Sequence, residues 1–379
     1  MDFDYTDEQK ALKDEARRFL ADASPISVVR GVLENSERGH DETLWGRIAE
    51  QGWCGAAIPE AYGGLEFGYV ELCGLAEELG RSLAPVPFAS SICQFAEAIL
   101  AEGSEEQKQE LLPAVASGET IGTLAVSEGP GTVSATRLST RYANGTLTGT
   151  KLPVADGMAA GKAVVLAMGC DGPVLSVTDL SGPGVTRQTV PTIDPTRGAA
   201  TITFDNAPAQ VLGSGGDGMA ALARIRNRSA VLMSFEQLGG ADRALEMARD
   251  YALERYAFGR QIGSYQAIKH KLADVFIRIE VARASAYYGA WALSTNAGEL
   301  PVAAAAARIA GCNAYWQAAK ENIQTHGGIG FTWEADPHLH YRRARHLGLV
   351  LGSAKQWKKK LTDLLEAQRA AGNAERQAA

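Results

Sequence analysis

Arg255, Phe258, Arg260 and Gln266 crowd into one short stretch, ERYAFGRQIGSYQ, between two segments of helical spacing. Two guanidinium forks suited to phosphate oxygens, an aromatic edge, and an amide that both donates and accepts make this the densest chemical run in the chain. The structural alternative is a surface turn whose arginines neutralise the negative end of the preceding helix. Other polar residues are scattered. His338, His340 and His346 have no carboxylate or cysteine at ligand spacing, so they are expected to be solvated helix histidines rather than metal ligands. The glycine-rich GSGGDG, residues 213–218, lacks the Lys-Ser/Thr ending of a phosphate loop and reads as a flexible joint.

The elements around the opening stretch follow from spacing. Leu238, Ala241, Ala244, Leu245, Ala248 and Ala252 define one face of a helix expected to end near Phe258, with Gly259 as its stop. Ser264 is expected to cap a second helix whose stripe is Ile268, Leu272, Val275 and Ile279. Ahead of them, residues 1–119 read as helices. Thr6 and Gln9 form a capping box, residues 41–51 and 70–83 carry helical spacing, IPEAYGG interrupts with turn residues, and helical spacing resumes over residues 90–112. From Thr120 to Gly213, β-branched residues, Asn144-Gly145 and the alternating ATITFDN indicate a compact β domain. Residues 219–371 are helical again, with Pro301 opening a helix that Gly327-Gly328 ends, and Pro337 opening the last one, weakened in its middle by Gly348 and Gly352. Long helices with short connections indicate an antiparallel bundle. Trp53, Trp291 and Trp316 are expected in helix cores.

Composition narrows the class. A chain of 379 residues, 46% hydrophobic and 21% charged, is an ordinary globular protein of two or three domains. A formal net charge of -7 argues against nucleic acid or anionic membrane as the main partner. No apolar run reaches the roughly 20 residues of a membrane span, the N-terminus is acidic and polar, and five scattered cysteines suggest no disulfide framework, so a cytoplasmic location is expected.

Helical block, β domain and helical bundle, in that order, resemble the acyl-CoA dehydrogenases over nearly the whole chain. Four motifs carry the likeness: IPEAYGG, ERYAFGRQIGSYQAIKHKLAD, ENIQTHGGIGFTWE and HLHYRRA. The resemblance implies a mainly α fold with a central β domain, a four-helix bundle, and a tetramer with FAD at its subunit boundaries. It also implies an acyl-CoA substrate and an electron-transfer flavoprotein as acceptor, with direct oxidation by oxygen as the alternative. In that family the arginine matching Arg255 contacts the FAD diphosphate with Phe258 and Gln266 beside it, while Gln324, Gly327 and Gly328 approach the adenosine side. A diphosphate wants a bidentate cation, and glycines let backbone N–H groups come close. His270 and His326 flank these motifs and are expected to bond backbone or cofactor.

The flavin-ring half departs from the family pattern. Pro153 and Ala155 stand where a Trp-x-Thr pair is usual, and Ser127 keeps a hydroxyl for the flavin while the serine and aspartate expected after it are gone. The usual base, a glutamate before glycine, is Leu351 before Gly352; the position some relatives use on the first bundle helix is Ser229. Glu236, two turns on and facing the same side, is the remaining candidate, its alternative being a buried carboxylate paired with an arginine or a helix end. Two functions therefore stand: an FAD-dependent dehydrogenase forming an α,β-double bond in a bulky or cyclic acyl-CoA, or a non-catalytic subunit that completes a partner's FAD site in a mixed tetramer.

Overall fold

The computed structural model describes residues 5–35 and 39–378, with side chains as far as Ala371. Its helices are α1 (Asp7–Ala23), α2 (Ile26–Asn35), α3 (Glu42–Glu50), α4 (Tyr69–Arg81), α5 (Phe88–Ser90), α6 (Glu97–Glu102), α7 (Glu105–Ala116), α8 (Gly218–Glu254), α9 (Gln266–Ser294), α10 (Leu300–His326), α11 (Pro337–Val350) and α12 (Ala354–Ala378). The strands are β1 (Gly122–Ala125), β2 (Arg141–Ala143), β3 (Thr146–Ala155), β4 (Lys162–Met168), β5 (Pro173–Asp179), β6 (Val185–Thr189) and β7 (Ala199–Val211), followed by the two-residue β8 (Tyr256–Ala257) and β9 (Arg260–Gln261). Contacts group the chain into two compact units, Met1–Arg17 with Cys73–Leu83 and Ala230–Ala379, and Arg18–Leu72 with Ala84–Ser229.

The second unit is built on a sheet that closes on itself. The path β4-β2-β3-β7-β5 returns to β4, with β1 added in parallel to β4 and β6 antiparallel to β7. Alternation along β3 and β7 sends Leu147, Val154, Ala200, Ile202 and Phe204 inward, which closes the sheet around an apolar core. Helix ends in this unit are set by short side chains. Asp41 accepts from the Leu44 N–H at 2.7 Å, and Ser104 and Gln107 form a reciprocal capping box. Gln107 then spans to β7's exit, donating to the Val211 carbonyl and accepting from the Gly213 N–H at 2.8 Å, which ties down the glycine-rich run before α8.

The first unit is a helical bundle whose tightest seam is made by glycine. A methyl at Gly80 of α4 would lie 1.9 Å from the Glu236 carbonyl oxygen of α8, and one at Gly239 would lie 1.7 Å from that of Glu77. The two backbones therefore touch reciprocally, a spacing only glycine permits. The Thr6–Gln9 capping box forms as expected, with bonds of 2.9 and 3.3 Å.

Several local expectations need correction, and two elements are additional to those expected. The helix before the opening stretch ends at Glu254, because the chain turns back as a hairpin, β8–β9. Phe258 (φ 52°) and Gly259 (φ 81°) supply the two positive φ values of its tight turn, so Gly259 is a hairpin residue rather than a helix stop. Ser264 does not cap α9; its hydroxyl donates to the Gln261 carbonyl at 2.6 Å and the helix starts at Gln266. Residues 26–35 form a helix with no counterpart among the expected elements, and residues 91–96 are wound as a π-helix between α5 and α6. The helix opened by Pro337 stops at Val350, since Gly352 (φ 95°) breaks it outright and α12 restarts at Ala354.

Candidate functional site

Two stretches carry the chemistry, one in each unit. In the bundle unit, Tyr251 of α8 stacks on His326 of α10 with ring centroids 4.1 Å apart, which holds the ends of these two helices side by side. His326 Nδ1 also lies 2.9 Å from the Asn322 carbonyl, so this histidine is used structurally. Just beyond the stack, α8 opens into the β8–β9 hairpin and α10 into the tight turn at Gly327 (φ 65°). The Arg255 carbonyl accepts from the Ile262 N–H at 2.8 Å, and the Tyr265 hydroxyl donates to the Ala257 carbonyl at 3.0 Å. The Arg260 guanidinium sits 3.9 Å over the Tyr265 ring.

This end of the bundle is left open. Arg255, Phe258, Gln266, Gln324, Gly327 and Gly328 are all exposed. The side chains of Arg255, Gln266 and Gln324 have no hydrogen-bond or ion-pair partner among the described residues. A Cβ on Gly327 or Gly328 would meet nothing within 4 Å, so both peptide groups are accessible to a ligand. Phe258 is 97% exposed, and Phe331 and Trp333 beyond the glycines are 76% and 47% exposed. A bulky aromatic held at positive φ in full solvent is unfavourable on both counts. The donor set suits a dinucleotide: an unpartnered guanidinium, two free amides, accessible glycine N–H groups and an exposed aromatic ring.

The stretch in the sheet unit is closed on itself. Glu128 accepts from Lys151 Nζ at 2.7 Å, from the Ser139 N–H and hydroxyl at 2.6 and 2.7 Å, and from the Thr140 N–H at 3.0 Å. Partial burial pushes its carboxyl upward, but these donors outweigh it and hold the group down at about 2. Lys151 is fully buried and its ammonium is pushed below the usual lysine range by desolvation, against the pull of Glu128. The sequence alone singled out Ser127 but not this clasp; a charged residue at an inward position of β3 was the available signal. The Ser127 hydroxyl donates back to the Gly129 carbonyl at 3.2 Å. Residues 126–138 enclose a cleft of about 40 Å³, room for little more than a water molecule. At Pro153, after a cis peptide bond, the strand has no N–H to offer. Residues of this stretch therefore do not fit a flavin ring in the family's manner, whereas those at the open end of the bundle fit the dinucleotide portion.

No candidate base stands free. Glu236 is 4% exposed, and its Oε1 lies 3.5 Å from Arg343 Nη1, itself 1% exposed and bonded to the Leu83 carbonyl at 3.2 Å. This is the arginine-paired alternative weighed for Glu236 from the sequence. Leu351 is buried and its carbonyl accepts from the Trp357 indole at 3.1 Å. The Ser229 hydroxyl bonds the Ile225 carbonyl one turn back at 2.9 Å. Helix α10 also buries Arg308 completely, where it donates to the Gln237 side chain at 3.1 Å and to the Leu347 carbonyl near the end of α11. Sequence reasoning missed Arg308, since a lone arginine in an alanine-rich helix looks solvated. His338 and His340 are likewise buried rather than solvated: His340 Nδ1 meets the Tyr315 hydroxyl at 3.1 Å, and His338 Nε2 donates to the Trp333 carbonyl at 3.1 Å. Among the described residues no cluster of metal ligands occurs, and no helix is long and apolar enough to cross a membrane.

Comparison with known proteins places this geometry in a family. Residues 6–119 match the N-terminal domain of acyl-CoA dehydrogenases and residues 216–355 match their C-terminal domain. The chain belongs to the acyl-CoA dehydrogenase family, whose members are FAD-dependent. It is 31% identical over 351 residues to the acyl-CoA dehydrogenase IpdE2 of Mycobacterium tuberculosis, covering 92% of this chain and 95% of that protein. Among solved structures, a variant of the Tcur3481-Tcur3483 steroid ACAD matches with a TM-score of 0.87 and 33% identity over 96% of this chain and 99% of that one. The ChsE4-ChsE5 complex from M. tuberculosis matches with a TM-score of 0.87 and 25% identity over 97% and 99%. The helical, β and helical architecture expected from the resemblance is thereby borne out.

Proposed function

We propose that this chain is the non-catalytic subunit of a mixed acyl-CoA dehydrogenase tetramer, in which it completes an FAD site whose flavin ring and base belong to a different, catalytic chain. The observation that carries the reading is the asymmetry between the two stretches. Arg255, Gln266, Gln324, Gly327 and Gly328 stand open and unpartnered, while the stretch around Ser127 and Lys151 satisfies itself and the base position is Leu351. In the assembled site Arg255 would hold the diphosphate, Phe258 would cover it from water, and the Gly327 and Gly328 N–H groups and Gln324 would orient the adenosine side. Bound there, FAD would supply the hydride acceptor for dehydrogenation of the thioester, and the base that takes the α-proton would belong to the catalytic chain.

Glu236 is assigned a structural role as the counter-ion of Arg343. The three-part division at residues 1–119, 120–213 and 219–371 belongs to the same proposal. Both solved complexes compared above are named as pairs of different proteins, and one is named for a steroid substrate class, which supports a mixed tetramer and a bulky, ring-bearing acyl-CoA. An electron-transfer flavoprotein is the proposed acceptor and the cytoplasm the proposed location. The test is to purify the chain alone, supply FAD in excess, and add a panel of acyl-CoAs anaerobically. No thioester is expected to bleach the flavin absorbance. Bleaching by any of them at a catalytic rate overturns the proposal in favour of a self-sufficient dehydrogenase.

A further inference from the structure

The residues at the open end leave the bundle on two different helices, and side-chain contacts hold those helices in register. The Asn322 amide of α10 donates to the Met247 sulfur of α8 at 3.8 Å. One turn further along both helices, His326 stacks on Tyr251 with centroids 4.1 Å and ring planes 24° apart. Equal steps of four residues on α8 and α10 make these contacts two rungs of one parallel ladder, and the ring stack is the last rung before both helices end. Asn322 is fully buried, and because its carbonyl can only accept, His326 Nδ1 carries the proton of the 2.9 Å bond between them. That bond fixes the imidazole in the plane where it meets Tyr251.

Each ring is one backbone link from a residue of the open end. The Arg255 N–H donates to the Tyr251 carbonyl at 2.8 Å, and Gly327 follows His326 directly. The hairpin beyond Arg255 is stiffened by its own bonds, Ile262 N–H to the Arg255 carbonyl and Tyr265 hydroxyl to the Ala257 carbonyl, so it moves with the last turn of α8. Helix ends open more readily than helix centres, and a stack on the last turn of each suppresses that opening. Both rings are half-buried, and the Tyr251 hydroxyl has no hydrogen-bond partner among the described residues, so the ring rather than the hydroxyl does the holding. A ligand that reaches from Arg255 to the glycines must find both at one separation, and looseness between the helix ends costs affinity.

We infer that Tyr251 and His326 are positioning residues, whose stacked rings fix the separation between the diphosphate anchor at Arg255 and the adenosine anchors at Gln324, Gly327 and Gly328. This rests on the FAD half-site reading proposed above, and the test separates the two. ADP carries both the diphosphate and the adenosine, so its affinity for the full chain alone is measured by ligand-observed NMR titration, with far-ultraviolet circular dichroism as the check on folding. Tyr251→Ala and His326→Leu are each expected to weaken ADP by up to about tenfold, since lost alignment costs no more than the aromatic pair that enforced it. Tyr251→Phe keeps the ring and is expected to bind ADP as wild type does. In an Arg255→Ala background one anchor is gone and no separation is left to hold, so Tyr251→Ala is expected to add nothing. A Tyr251→Ala chain that binds ADP like wild type, or loses as much without Arg255 as with it, overturns the inference and leaves the half-site reading in place. So does a Tyr251→Phe chain as weak as Tyr251→Ala, which makes the hydroxyl a ligand instead. Wild-type ADP binding that is absent, or indifferent to Arg255→Ala, overturns the half-site reading and the inference with it.

Discussion

Replacing Glu236 separates a base from a counter-ion, because the two roles predict opposite results. Its carboxylate is 4% exposed, and Arg343, 1% exposed, pairs with it at 3.5 Å. Removing one member of a buried pair costs about 3–5 kcal/mol, chiefly by leaving the other charge uncompensated. The 3.5 Å separation and Arg343's second bond, to the Leu83 carbonyl, place Glu236→Gln at the low end, about 3 kcal/mol. Removing both charges, as Glu236→Gln with Arg343→Met, is expected to recover most of that loss. The assay pairs thermal or urea denaturation of each variant with acyl-CoA-dependent dye reduction by the mixed complex. A structural Glu236 gives a large loss of stability and, below the melting range, a rate within a few-fold of wild type. A rate lower by about 10²–10⁴ with stability intact is the signature of a lost base and refutes the assignment.

Further outcomes follow from the same geometry. Gly80→Ala places a methyl 1.9 Å from the Glu236 carbonyl oxygen, so α4 and α8 must separate, and chemical denaturation is expected to register a loss of about 1–3 kcal/mol or more. For Glu128 the folded carboxyl titrates at about 2, below the roughly 4.3 of an unfolded glutamate. Its contribution is complete above that unfolded value and is lost as pH falls through 2, so hydrogen exchange in residues 127–140 should accelerate over that window in wild type and be far less pH-dependent in Glu128→Gln. Phe258→Asn suits the positive φ of the hairpin turn and removes an exposed ring, so the isolated chain is expected to gain a few tenths of a kcal/mol or more while the mixed complex holds FAD less tightly.

Much of the architecture was legible where local chemistry acts alone. The Thr6–Gln9 box, Pro301 at the start of α10 and Gly327 at its end behave as their residue types require; Leu238, Ala241, Ala244, Ala248 and Ala252 of the α8 stripe and Val275 and Ile279 of the α9 stripe are buried, while Leu245, Ile268 and Leu272 are half-buried. The exposed, unpartnered set Arg255, Gln266 and Gln324 was singled out by its motifs. What escaped depends on partners remote in sequence. Phe258-Gly259 lacks the Asn-Gly signature of a tight hairpin, so the reversal at residues 256–261 looked like a helix end. His338 and His340 looked solvated until Trp333 and Tyr315 were seen beside them. Arg343 as the partner of Glu236, and Lys151 as the clasp on Glu128, are contacts that no periodicity encodes.

The most direct test of the central claim is the flavin content of this chain alone and of its complex with a catalytic acyl-CoA dehydrogenase chain, each measured with wild type and with Arg255→Ala. The account predicts little flavin on the chain alone, about one flavin for every two chains in the mixed complex, and loss of most of that flavin with Arg255→Ala, since removing a bidentate cation from a phosphate site costs about 2–5 kcal/mol. One flavin per chain, retained by the chain alone and indifferent to Arg255, contradicts it.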